Sequence, residues 1–546
     1  MAPDAAGAER VEQLGPETVS RSLLLRLAGL PAAAGELAQA VAVLGVEADL
    51  SLAAALAGVP LEAAGQAADA LSVVEILAPR RPLAFVHPIV RQAIYTDIPP
   101  SERAAMHARA EQLLRDSGAA GPKRAVHLLA TEPAGEPETV AALREAAREA
   151  PDNGAADVAR RLLSRALAEP PPDEAAAAVL ADLGEAEWLA GDDLEAAVTH
   201  LSEAVEGTAD PDERAGRVLV LARALFSGGQ ITAAFELLER EIAGLEGAAR
   251  EAVMRLEAEL ASVGLLNPPT VAFAAERLER FVELRGDTPA ELLQIANLAS
   301  WKWLAGTAEE VRVFAERALR DRQLLKAEGS DSIPVYEAVW VLAYADRHDL
   351  ALDLLKDAQA DARARGSVFG FTASCAMLAL VALRRGAVAE AEAEARNGVA
   401  LPGLPPFVGP AIFGFLGLAL VERGQLEEAD AAIEQSGCGP HLPELVHMNP
   451  TFFARGALRL AQGRYEEALA DFLELGRRDE RVGIRNPGVP CRRGAGAGLL
   501  RTHRGSCATR RRAREGGAPL GHRICAGRRA ARARAPAGPR RRRAPP

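Results

Sequence analysis

The stretch Leu416-Gly417-Leu418-Ala419-Leu420-Val421-Glu422-Arg423-Gly424-Gln425-Leu426-Glu427-Glu428-Ala429-Asp430-Ala431-Ala432-Ile433 decides the fold. Apolar and small residues fall three and four apart on both sides of Gly424, so each side reads as a helix with one buried face. The glycine supplies a permissive backbone on which the first helix ends and the chain reverses. Gly417 and Ala429 are small enough to let the two arms approach closely. The stretch is a helical hairpin.

Outward from it, the same columns recur. Turn glycines stand at Gly191, Gly229, Gly306, Gly386, Gly424 and Gly463, about 38 residues apart or about twice that. Eight residues before them sits leucine (Leu183, Leu221, Leu298, Leu378, Leu416), and seven before sits a small residue (Gly184, Ala222, Ala299, Ala379, Gly417, Gly456). Five after is often alanine (Ala234, Ala391, Ala429, Ala468), and nine after is apolar or small (Leu238, Ala315, Ala395, Ile433, Phe472). Two units, near Asn267 and near His348, lack the glycine. One hairpin cannot bury its own stripe, and a stack of hairpins can. These columns resemble tetratricopeptide repeats, most closely at Leu416, Gly417, Gly424, Leu426 and Ala429, and again at Gly456, Gly463, Tyr465, Ala468 and Phe472. They run a few residues longer than that family's period of about 34.

Composition agrees with an all-α class. The 546 residues contain only 4% aromatics, and strand-like runs are scarce. That length allows several domains. Five cysteines show no paired or metal-ligand spacing, which points to a reduced, cytoplasmic setting. No run of about 18 consecutive apolar residues stands out as a membrane span, and the first twenty residues lack the apolar core of a secretory signal. The net charge of −12 hides a contrast: from Pro487 onward stand 17 arginines and one acid, Glu515. Without that tail the body carries about −28, which repels phosphate backbones at long range.

In chain order, Met1 to about residue 16 reads as a flexible leader. Residues 17–130 carry short helices with stops at Pro31, Gly45 and Gly58-Val59-Pro60. Val73-Val74-Glu75-Ile76-Leu77 and Leu83-Ala84-Phe85-Val86 then read as a two-stranded ribbon around Arg80-Arg81-Pro82. Three helices and a ribbon outline a winged helix-turn-helix. Next come Phe85-Val86-His87-Pro88-Ile89-Val90-Arg91 and, after Pro99-Pro100, a helix with Ser101 as cap and Ala105, Ala108 and Leu113 facing inward. Residues 131–178 read as linker and helix, 179–486 as the repeats. Beyond Pro487 the columns vanish into Arg, Ala, Gly and Pro, a tail too poor in aliphatic residues to bury a core and expected to be disordered. It reads either as a basic arm or as a shifted reading frame of a GC-rich gene, given 59 arginines to 4 lysines.

The order of motifs over about residues 17–480 resembles the segment downstream of the ATPase core in STAND-class signal-transduction ATPases of the LuxR-type regulator group. In them a P-loop domain precedes a winged-helix module with an F-x-H-P-φ-φ-R signature (φ, hydrophobic), followed by tetratricopeptide-like repeats. Phe85 to Arg91, with Arg103 and His107, carries the sharpest part of the likeness. The resemblance implies a sensor and scaffold portion that begins after the P-loop domain and lacks the terminal DNA-binding domain. It also implies a protein, peptide or small inducer on the concave face of the repeats, with self-association as a further partner mode.

His87, Arg91 and His107 are the candidate site residues. No nucleophile or metal partner lies near them in sequence, so the reading is structural: His87 caps or packs beside Pro88, and Arg91 pairs on its own helix. None of the four lysines follows a glycine, so no G-x-x-x-x-G-K-[ST] loop is present. No G-x-S-x-G elbow and no H-E-x-x-H helix is present either. No catalytic, cofactor-binding or metal-binding residue is assigned, and the expectation is a non-enzyme. The alternative reading is a DNA-binding protein acting through the winged helix at 36–86. Its second helix, Leu61 to Leu71, offers only Gln66 as a base reader beside Glu62 and Asp69.

Overall fold

The computed structural model describes residues 23–45, 47–149, 156–169, 171 and 173–482. The leader (1–16) and the Arg-rich tail (487–546) lie outside the described residues. Every element among the described residues is helical, apart from two isolated antiparallel bridges. The chain divides into two compact units.

The first unit falls within Met1–Leu225, Ala243–Ala249 and Asp361–Val368. Helices Ala32–Leu44, Leu50–Ala57 and Leu61–Val73 pack around Leu37, Val41, Ala64, Ala68 and Leu71, where alanines let the axes come close. Asp49 caps the second of them, accepting from Ser51 N–H at 2.8 Å, a bond that satisfies an otherwise orphaned donor. The expected ribbon shrinks to the bridges Ala48↔Leu83 and Leu77↔Phe85. The cause is local: the third helix runs through Val73, and Glu75 turns at φ 57°, which leaves too few extended residues to pair.

Ser101 is no cap. The helix Pro100–Asp116 starts before it and has Pro99 at its N-cap. Ala105 and Ala108 are exposed, and the buried face carries His107, Ala110, Glu111 and Leu114 instead. Two of those are polar, and each is matched by polar partners, which an apolar-periodicity argument does not register. The stretch 131–178, expected as linker and helix, holds helices Pro137–Glu149 and Ala156–Ala168 and the start of Asp173–Ala190. Leu143, Leu162, Leu163, Val179 and Leu183 share one core there.

The second unit covers Phe226–Ile242, Arg250–Ala360 and the described residues from Phe369 on. Its helices pair as hairpins: Pro289–Ala305 with Ala308–Ala318, Gly409–Glu422 with Leu426–Gln435, and Asn449–Ala461 with Tyr465–Arg481, and Val368–Arg385 meets Val388–Val399 through Ala382 and Ala391. First arms also pack on first arms, as Arg250–Leu266, Pro289–Ala305 and Ile333–Tyr344 do in turn. This is an α-α repeat stack. The seven-before and nine-after columns meet: a Cβ on Gly417 would stand 2.7 Å from Ile433.

Five of the six turn glycines are left-handed, but Gly306 is extended at φ −103° and caps its helix through a bond to the Lys302 carbonyl. In the glycine-less unit near His348, Asp346 takes the left-handed position at φ 58°, which short polar side chains tolerate. Helix Val368–Arg385 is long and apolar enough to cross a membrane by length and composition, although Thr372, Ser374, Arg384 and Arg385 interrupt its apolar run, and 72% of it is buried inside the protein. A core helix packed on several sides is apolar all round for that reason.

Candidate functional site

The signature residues assemble in the first unit. His87 caps the helix Pro88–Asp97: its Nδ1 accepts from Ile89 N–H at 3.1 Å. Arg91 does not confine itself to its own helix. It lies over the Tyr95 ring at 5.6 Å, but its Nε donates 3.0 Å to the carbonyl of Ala42, in the helix Ala32–Leu44. Arg103 also lies over that ring, at 4.9 Å, and donates to the Tyr95 carbonyl at 3.3 Å.

His107 then bridges inward. Its Nε2 is 2.9 Å from the Tyr95 hydroxyl and its Nδ1 is 2.9 Å from Nδ1 of His127. Burial, then His127, Arg103 and Arg91, push the His107 pKa down to about 4. Burial lowers His127 too. Two neutral rings sharing one proton tie three helices together, which is a structural role. Among the described residues no group of three metal-ligating side chains forms. On the helix Leu61–Val73, Glu62, Gln66 and Asp69 are exposed, so its outward side is acidic and repels a phosphate backbone.

A different place has the make-up of a ligand site. The second unit holds a half-open cavity of about 100 Å³. Helical spacing builds its walls. Ser300 and Trp303 line it from Pro289–Ala305, Tyr336, Glu337 and Trp340 from Ile333–Tyr344, and Phe369, Ala373 and Ala376 from Val368–Arg385. Ser300 and Trp303, Tyr336 and Trp340 with Glu337 beside them, and Phe369, Ala373 and Ala376 stand three or four positions apart, so each helix presents one stripe. Phe226, Phe407 and His447 line the cavity as well. In a chain with 4% aromatics, six aromatic side chains converge here.

The walls are held from behind. Trp303 and Trp340 meet edge to face at 6.3 Å and 87°, and both touch Tyr344, at 5.5 and 5.3 Å. Arg384 covers the Tyr344 ring at 4.7 Å. The Tyr336 hydroxyl is anchored between the Ser330 and Gly370 carbonyls at 2.8 and 2.9 Å. On the other side Phe226, Phe407 and His447 stack at 3.8 and 3.7 Å.

Against this apolar wall stand polar atoms with nothing to bond. Both tryptophan Nε1 atoms and His447 Nδ1 are buried and lack a hydrogen-bond partner, while Glu337 and Ser300, buried beside them, pair with each other. Burial raises Glu337 well above the carboxylate range; Ser300 opposes the shift and the Glu259 charge adds to it. His447 Nε2 is 3.0 Å from the Phe407 carbonyl. A carbonyl only accepts, so Nε2 carries the proton and Nδ1 presents a lone pair. Burial drives this histidine's pKa down to about 3.

The sequence columns did not point to this cavity. One signal was present: Glu337 is the single charged residue in the apolar helix Ile333–Tyr344.

No family model matches the chain, and a comparison with curated proteins finds no match. Solved structures similar to it include a STAND protein with a tetratricopeptide repeat sensor from Pyrococcus horikoshii, at 10% identity and a TM-score of 0.32, covering 85% of this chain. The chain spans 65% of that protein's length. Yeast Tom70 is another, at 13% identity and a TM-score of 0.24, over 69% of this chain and 96% of Tom70. Likenesses this weak fix neither an activity nor a partner for this chain.

Proposed function

We propose that this chain is a non-catalytic sensor and scaffold, in which the second unit's repeats hold a small molecule in the cavity between Trp303, Trp340 and His447. The observation that carries this reading is the clustering of unpaired buried polar atoms around one apolar space. Each such atom costs about 1–3 kcal/mol when left unmatched, and a bound molecule offsets that cost. Chemistry on the ligand is disfavoured. Ser300 pairs with Glu337, which burial keeps protonated and so unable to act as a base, and His447 commits its N–H to Phe407.

The wider setting follows from the Phe85 to Arg91 signature and the repeat columns together: the receiving part of a cytoplasmic, ATP-dependent transcriptional regulator. There, ligand capture would bias a coupled ATPase through differential affinity for two states. Protein or peptide capture on the repeats is the competing outcome. The test is a thermal-shift screen of the purified chain against uncharged, cationic and anionic small molecules, repeated with Ala376→Phe. Stabilisation by some compound, lost in the variant, is expected. A flat screen, with a peptide library giving the only binders, would sink the reading.

A further inference from the structure

We infer that the second unit's cavity takes a small, uncharged, mainly aromatic molecule with at least one hydrogen-bonding group; this rests on the ligand-binding reading above.

Shape and surface come first. The cavity faces are rings and alkyl groups: the edge-to-face Trp303–Trp340 pair on one side, the Phe226–Phe407–His447 stack on another. Ring edges and faces hold an aromatic guest in the offset and edge-on arrangements that aromatic pairs prefer.

Charge comes second. No lysine or arginine lines the cavity, so an anion has no partner. His447 does not supply one, because its Nε2–H already serves the Phe407 carbonyl and its burial opposes a second proton. The one acid in the lining, Glu337, has both oxygens sealed from solvent and forms no ion pair. A cation entering here must shed its water and also force Glu337 to ionise beside the Glu259 charge. Both steps are unfavourable in an apolar surround.

Hydrogen bonding comes third. His447 Nδ1 needs a donor and the two tryptophan N–H groups need acceptors, while the Ser300–Glu337 pair uses only part of its own capacity. A hydroxyl or a neutral N–H/C=O pair on an aromatic body meets such a set.

The experiment is titration calorimetry of the full chain at neutral pH with three near-isosteric probes: 2-naphthol, protonated 2-naphthylmethylamine and 2-naphthoate. 2-Naphthol should bind at least about tenfold more tightly than either charged probe. Glu337→Gln, a neutral isostere of the protonated acid, should leave the preference for 2-naphthol over both charged probes in place, since no charge is removed. Ala376→Phe, or Ala373→Leu should the first variant melt early, should abolish binding by filling the space. Tighter binding of the ammonium probe, lost in Glu337→Gln, overturns the inference in favour of a cation site. A preference for naphthoate, or 2-naphthol binding that survives both filling variants, overturns it as well. If a charged probe wins, the sensor reading stands and only the ligand class falls; if nothing binds, both fall.

Discussion

Gly456 lies against the ring of Phe472: a Cβ added to the glycine would stand 2.6 Å from the nearest ring carbon. These two residues belong to the seven-before and nine-after columns of the last hairpin, so the contact is the repeat's own seam. Gly456→Val should overpack it and destabilise by about 1–3 kcal/mol in urea unfolding. Gly216→Ala is the control. Gly216 sits on an exposed helix face with nothing within 4 Å of an added Cβ, and the change should stabilise by up to about 1 kcal/mol.

The five-after column makes a second prediction. Ala429 and Ala468 are buried at 0% and 2% exposure. Ala429→Glu or Ala468→Glu places a charge in a space sized for a methyl group, and should cost about 3 kcal/mol or more and broaden the melting transition. Unchanged melting in both variants would argue against the hairpin pairing.

A buried acid binds the last hairpin together. Asp471 is 2% exposed and takes 2.7 Å bonds from Arg455 Nη2 and Arg459 Nη1. Asp471→Ala takes the carboxylate from both arginines, leaving Arg455 the Cys438 carbonyl and Arg459 the Glu467 side chain, and should cost about 1–3 kcal/mol, read from chemical denaturation. Asp471→Asn should recover part of the loss.

Acid should weaken the first unit through His107. Its folded pKa of about 4 lies below the ordinary 6.5, so the unfolded chain binds more protons between those values. Stability is therefore full above pH 6.5 and falls as the pH drops toward 4, by about 2 kcal/mol at pH 5 for this one group. Melting curves from pH 7.5 to 5 should show the decline, and His107→Gln should flatten it. A pH-independent wild type would remove the His107–His127 pair as its source.

Glu337 should act with the opposite sign. Its carboxyl is raised by burial, so the unfolded chain releases its proton first as pH rises through the ordinary carboxylate value of 4.5. Native stability falls from there upward until the folded group ionises as well. Glu337→Gln removes the titration and should raise the melting temperature of the second unit at pH 8 while changing it little at pH 4. An equal effect at both pH values would mean that the acid is ionised in the native state.

The sequence by itself determined the hairpins. Helical spacing, a reversing glycine and a small residue opposite a large one are local properties, carried by Leu416, Gly417, Gly424 and Ile433 within eighteen residues. The cap at His87 was legible for the same reason. Tertiary structure decided the rest. Arg91 reaches Ala42, and the helix Pro100–Asp116 turns His107 and Glu111 inward, because partners on other helices satisfy them. Trp303, Glu337 and His447 share a cavity only because three helical stripes and a turn converge there. That convergence depends on how neighbouring helices cross, and packing angles are set by the whole interface rather than by the spacing along any one strand of sequence.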